Sequence, residues 1–225
     1  MRCGWCQNGI IRNLTVREIL FPLSIEEECC LSCRQRLKKI EQPSCPTCRK
    51  QGCLTQCEDC QQWQQLFPDY DFSHHAFFVY DSAFQEWLLQ YKFLGDYRLR
   101  KTFVSDIKKY FKQERDSLIC PIPLSQARFR ERGFNQTEGL LSAAQIPTVQ
   151  LLEKAIHTEP QAQKNRSERL ALTQPFLPTE AVHLIKGKQV ILFDDVYTTG
   201  RTLFHAATLL LAYEPEKIRT VSLAR

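Results

Sequence analysis

The 225-residue chain is 43% hydrophobic and 24% charged, with a formal net charge of +5; this suits one sizeable core with a small satellite domain and is too apolar for intrinsic disorder. No apolar run reaches membrane-spanning length and the stretch around Cys3, Trp5 and Cys6 lacks signal-peptide organisation, so a cytoplasmic protein without membrane insertion is expected. If eight cysteines held two Zn²⁺ as thiolates the charge would fall to +1, eight negative charges against four positive, so overall charge argues little for nucleic-acid binding.

Ten of the 11 cysteines fall before residue 61, and eight form CxxC pairs: Cys3 with Cys6, Cys30 with Cys33, Cys45 with Cys48, and Cys57 with Cys60. In a cytosolic chain this spacing points to structural zinc, because it lets both sulfurs of a pair face one tetrahedral ion. Read in order, the first two pairs make one four-cysteine site and the last two a second; cross-braced and single-zinc arrangements stay open. Redox exchange is the rival reading, which four pairs disfavour. Cys29 and Cys53 are surplus thiols, and Cys29 can stand in for Cys30. Residues 1–66 carry nine Lys/Arg and seven Asp/Glu, so zinc thiolates would leave this module negative and suit it to a structural or protein-docking role.

We assign 1–64 to this zinc-binding domain, 65–75 to a linker that loses clean periodicity and carries Pro68, and 76–225 to a second domain. His74 and His75 are expected to be solvated linker residues. Ala76–Tyr80 predicts a strand, Ser82 opens a helix with Phe84, Trp87, Leu88 and Tyr91 at helical spacing, and another helix is predicted over Tyr97–Phe111. From Lys92 to Arg132, eleven Lys/Arg stand against five Asp/Glu, interleaved with aromatics, a density that suits an anionic strand or phosphates.

Leu118–Ile122 predicts a buried strand made stiff at its end by Pro121 and Pro123. Beyond Ser125, Arg128, Arg130 and Arg132 alternate ahead of Gly133-Phe134-Asn135-Gln136; guanidinium groups can grip phosphate with paired hydrogen bonds, although a solvated basic loop is the plainer alternative. Val149–Leu152 predicts a short strand, and 153–176 has no sustained apolar face. Val190–Phe193 is an unbroken apolar run, as in a strand buried on both faces of a parallel sheet. It ends at Asp194 and Asp195, whose carboxylates can accept hydrogen bonds from sugar hydroxyls or hold a divalent cation. Thr198, Thr199, Gly200, Arg201 and Thr202 follow with hydroxyls and backbone N–H groups where the loop turns into a helix, a phosphate-cradling arrangement. A helix over 202–213 and a strand over 218–223 complete the α/β order.

The segment QVILFDDVYTTGRTL resembles the phosphoribosyl pyrophosphate (PRPP) signature of type I phosphoribosyltransferases at every position. The resemblance implies a Rossmann-like domain with a central parallel sheet, ribose hydroxyls bound by Asp194 and Asp195 with Mg²⁺, and the 5′-phosphate bound by Thr198–Thr202. It also implies pyrophosphate binding at Leu124–Arg128, and a hood over 153–176 whose Lys164, Arg166 and Arg169 reach the ligand, a surface helix being the alternative there. Together with the paired cysteines and the RGFNQ segment, the whole chain is similar to the ComF/ComFC family of competence proteins. That likeness implies a role in DNA uptake for natural transformation, with single-stranded DNA and the uptake helicase as partners. Ser125 stands where the family usually has His, a departure that weakens any proton-transfer role there. An active phosphoribosyltransferase of nucleotide metabolism is the alternative function.

Overall fold

The computed structural model describes residues 2–10, 16–20, 29–155 and 174–225. Its helices are α1 (Val16–Leu20), α2 (Leu31–Arg36), α3 (Glu58–Leu66), α4 (Ser82–Lys92), α5 (Val104–Phe111), α6 (Gln126–Arg132), α7 (Gln136–Ala143) and α8 (Arg201–Leu211). Four parallel strands form the sheet in the order β1-β6-β5-β2: β1 (His74–Phe78), β2 (Leu118–Pro121), β5 (Gln189–Val196) and β6 (Lys217–Ala224). A separate antiparallel pair joins β3 (Leu152–Lys154) to β4 (Phe176–Pro178).

β5 is central because its side chains are apolar on both faces. Ile191 and Phe193 pack with Phe84, Trp87 and Phe103, while Val190 and Leu192 pack with Phe204 and Leu210. Each such fully buried side chain contributes about 1.5–3 kcal/mol. The strand runs further than its apolar run, through both aspartates to Val196, since β6 continues to pair with it as far as Val196↔Ala224. On the other side β2 stops: Ile122 N–H bonds Phe193 O at 2.9 Å, and Pro123 has no N–H to continue the ladder. The two neighbours therefore end at different levels, leaving the aspartates beyond the end of β2, at the strand end where ligands of open α/β sheets bind.

α4 buries the expected Phe84, Trp87, Leu88 and Tyr91, and the Asp81 side chain caps it through Phe84 N–H. The single helix predicted over 97–111 is instead a 3-10 turn, Tyr97–Lys101, followed by α5. Thr102 sits at the break, where its carbonyl accepts from Arg34 at 2.8 Å and its hydroxyl from Trp87 Nε1 at 3.1 Å. The strand expected over 149–152 forms three residues later. Among the described residues no helix is long and apolar enough to cross a membrane.

Both ends of the expected linker 65–75 are taken into regular elements, and 67–73 connect them without helix or strand. α3 reaches Leu66, β1 begins at His74, and Tyr70 and Phe72 are buried between them. His74 is buried, not solvated: its ring nitrogens lie 2.9 Å from Thr220 Oγ1 and 3.0 Å from Ser222 Oγ, and burial pushes its pKa well down.

Candidate functional site

Asp194 and Asp195 lie at the carboxyl end of β5, with Asp194 half-buried and Asp195 buried. The Asp195 N–H donates to Asp194 Oδ1 at 2.8 Å, and Lys92 Nζ, from the last turn of α4, lies 2.7 Å from Asp195 Oδ2. Burial first, and the neighbouring Asp195 second, push the Asp194 carboxyl up to about 7, against the opposing pull of Lys92 and Lys154. Lys154 at the end of β3 interacts with Asp194 and rests over the Phe176 ring, 4.1 Å from its centroid. Two carboxylates and two lysines thus gather at the end of β5, an arrangement suited to binding hydroxyls and a cation.

The loop that follows exposes Thr198, Thr199, Arg201 and Thr202 and buries Gly200. Gly200 has φ +81°, and an added Cβ would stand 2.2 Å from the Tyr197 hydroxyl, so only glycine fits this turn. α8 starts here without a side-chain cap from Gly200 or an acidic residue in its first turn. Its initial N–H groups and the positive end of its dipole therefore face the loop, ready for an anion. Arg201 contacts His205 at 3.5 Å (Nε to Nε2), and burial, followed by Arg201, lowers the His205 pKa.

The arginines expected beside the pyrophosphate lie on α6. Ser125 caps that helix by accepting from Arg128 N–H at 3.3 Å, so the residue in the family's His position has a structural task. Arg128 pairs with Glu131 at 3.1 Å and Arg130 is exposed. Arg132 donates to Gln136 Oε1 at 3.0 Å and stacks over Phe93, 5.3 Å from the ring centroid, next to Lys92. The RGFNQ segment is also a local lock, with Asn135 Nδ2 and Thr137 Oγ1 both donating to Ile122 O at the end of β2. Lys164, Arg166 and Arg169 lie outside the described residues. Sequence reasoning assigned Lys92 to a basic surface and did not single out Lys154 or His205; no local pattern distinguishes them from solvated residues.

The eight paired cysteines form two groups in sequential order, Cys3/Cys6/Cys30/Cys33 and Cys45/Cys48/Cys57/Cys60, with Cys30 and not Cys29 in the first. Each repeats one design: a knuckle turn carrying the first pair, followed by a helix start carrying the second. Gln7 and Arg49, one after each knuckle's second cysteine, both have φ 62°. Cys30 and Cys57 are the N-caps of α2 and α3. Sulfur separations of 3.7 Å (Cys6–Cys30), 3.6 Å (Cys48–Cys57) and 4.0 Å (Cys45–Cys60) fit tetrahedral Zn–S bonding, which at about 2.3 Å per bond separates sulfurs by about 3.8 Å. All are free thiols and no disulfide competes for them. The first group packs in the α4/α5 cluster and the second in the α8 cluster, so they sit on opposite faces of the sheet.

A family model described as "Phosphoribosyl transferase domain" matches residues 128–225. The chain is 36% identical to a "Competence protein ComFC" of Streptococcus pneumoniae over 225 residues, covering 100% of both chains. It is 35% identical to a "Competence protein ComFC" of Bacillus subtilis, over 98% of this chain and 92% of that one. Among solved structures it is similar to a hypoxanthine phosphoribosyltransferase of Trypanosoma cruzi, at 18% identity and a TM-score of 0.36, covering 57% of this chain and 65% of the other. With its parallel sheet and acidic strand end, the chain has the type I phosphoribosyltransferase fold.

Proposed function

The chain belongs to the ComFC family of competence proteins, and from that premise we propose that it binds PRPP with Mg²⁺ and handles single-stranded DNA during uptake for natural transformation. The observation that carries the PRPP half is the carboxylate pair at the end of β5, Asp195 buried and Asp194 half-buried, facing a helix start that Gly200 leaves without a side-chain cap, across a loop that only glycine at 200 can shape. In this reading Asp194 and Asp195 bind the ribose hydroxyls, Mg²⁺ offsets the remaining negative charge, and the hydroxyls and N–H groups of Thr198–Thr202 hold the phosphate. Both cysteine groups hold structural Zn²⁺. DNA lies on the basic surface between Lys92 and Arg132, and the protein works in the cytoplasm with the uptake helicase.

Calorimetric titration of the full chain with PRPP and Mg²⁺, beside titration with a single-stranded oligonucleotide, tests both halves. Saturable binding of each supports the proposal. Absence of PRPP binding would make the signature an accident of sequence. Pyrophosphate release on adding a nucleobase would move the assignment to an active transferase.

A further inference from the structure

The second cysteine group is tied to the candidate phosphate loop by two hydrogen bonds, each ending on a loop carbonyl. Trp63 Nε1 donates to Thr199 O at 2.7 Å, and the Arg225 guanidinium donates to Thr198 O. A trans peptide is planar, with its C=O and the following N–H pointing in opposite directions. Holding Thr199 O therefore aims the Gly200 N–H, and holding Thr198 O aims the Thr199 N–H, away from these anchors. Those N–H groups belong to the proposed anion cradle.

Both anchors are themselves fixed by the segment that carries Cys57 and Cys60. Trp63 lies three residues after Cys60 on α3, a spacing that puts the two on one side of the helix, and its ring stacks on Phe204 of α8 with centroids 4.4 Å apart. Arg225 bonds Asp59, between the two cysteines, at 2.9 Å, and its guanidinium lies 4.7 Å from the centre of the Tyr197 ring that packs against Gly200. The first cysteine group provides an internal contrast. Its helix α2 bonds through Arg34 to Thr102 and Asp106 and through Arg36 to Glu86, on the other face of the sheet.

We propose that Trp63 and Arg225 are positioning residues of the phosphate loop, and that through them ligand binding at the loop and metal binding at Cys45/Cys48/Cys57/Cys60 reinforce each other. This rests on reading residues 194–202 as a sugar-phosphate site. Because coupling between two sites is reciprocal at equilibrium, whatever factor the metal-ordered α3 adds to ligand affinity must return as the same factor in metal affinity when ligand is bound.

The test uses full-length, metal-loaded protein, with PRPP·Mg²⁺ as the probe and Trp63→Phe, which keeps the stack on Phe204 but removes the N–H donor, as the variant. The expected result is a roughly 5- to 20-fold weaker Kd for PRPP with unchanged metal content. Metal occupancy at equilibrium with a zinc-selective chelator, in excess Mg²⁺, is read by alkylating the freed cysteines and following each peptide by mass spectrometry. In the wild type, PRPP should reduce alkylation of Cys45, Cys48, Cys57 and Cys60 while leaving Cys3, Cys6, Cys30 and Cys33 unaffected, and in Trp63→Phe that protection should shrink. Arg225→Met should act in the same direction. An unchanged Kd in Trp63→Phe, or equal protection of the two cysteine groups, would overturn the coupling while leaving the sugar-phosphate site standing. Absence of PRPP binding by the wild type would overturn both.

Discussion

Lys92 Nζ stands 2.7 Å from Asp195 Oδ2, and the two side chains are only 14% and 5% exposed. Enclosing a carboxylate costs its hydration, and Lys92 offsets that cost by pairing with it from the end of α4. Breaking such a buried pair from one side leaves the other charge stranded. Lys92→Met should therefore destabilise the protein by about 2–4 kcal/mol in denaturant unfolding at pH 7.5. Unchanged stability would show that the pair contributes nothing.

Asp194 carries the strain of the shared site. Its folded pKa of about 7 lies above the ordinary 3.8, so between those values the folded protein retains a proton that the unfolded chain has released. Stability contributed by this group is present below about pH 4 and is lost as pH rises through about 7. Asp194→Asn should consequently gain on the wild type in melting temperature from pH 5 to pH 8, with the comparison at each pH removing effects common to both proteins, including metal loss. A gap that does not widen with pH would place Asp194 in ordinary solvent.

Ligand binding should draw on the same proton. Sugar hydroxyls donate to a carboxylate and Mg²⁺ neutralises it, both favouring its ionised form. PRPP binding is expected to release a proton between pH 6 and 7, visible as a binding enthalpy that depends on the buffer's ionisation heat, and affinity should rise across that window. Changing Asp194 and Asp195 together to Asn should abolish binding; because the change strands Lys92 and lowers stability, binding is measured well below the variant's unfolding transition. Gly200→Ala, which brings a Cβ to 2.2 Å from the Tyr197 hydroxyl, should also weaken phosphate binding strongly. Full PRPP affinity in the double variant would remove the carboxylates from the site.

Metal analysis of fresh, reduced protein should find about two zinc ions per chain, since both sulfur groups fit a tetrahedral ion. Cys6→Ser and Cys48→Ser should each lose one. A value near one in the wild type would mean that only one group is a metal site.

Elements whose cause is local were legible in the sequence. The run Val190–Phe193, the aspartates behind it and the CxxC spacing each carry their chemistry within a few residues, and all recur in the structure. Elements decided by distant partners were not legible. His74 is buried because Thr220 and Ser222, 146 and 148 residues away, offer it hydroxyls. Lys92 left the basic surface because Asp195, at the end of β5, pairs with it. β5 outran its apolar stretch because β6 continued beside it. Trp63 sits in a glutamine-rich stretch with no period, and only its three-residue spacing from Cys60 hinted that it shares a helix face with a metal ligand. Arg128, Arg130 and Arg132 alternate in sequence, but on α6 their i, i+2, i+4 spacing sends Arg130 away from the other two.

That helical placement refines the DNA prediction. Phe103 and Phe111 are fully or almost fully buried and cannot stack on bases, whereas Phe93, Phe129 and Tyr97 are 58%, 51% and 40% exposed. Single-stranded DNA should bind with little sequence preference, each base stacked on an exposed ring adding about 1–3 kcal/mol. Each phosphate neutralised should steepen the logarithmic salt slope by about 0.7. Replacing Arg128, Arg130 and Arg132 by Ala should weaken binding and flatten that slope, while Phe93→Ala and Phe129→Ala should lower affinity without changing it. Gel-shift titrations across a salt series separate these effects. Loss of PRPP binding alone in the arginine variant would assign α6 to the pyrophosphate and favour the transferase; no change in either ligand would leave α6 a solvated surface and move the DNA contact elsewhere.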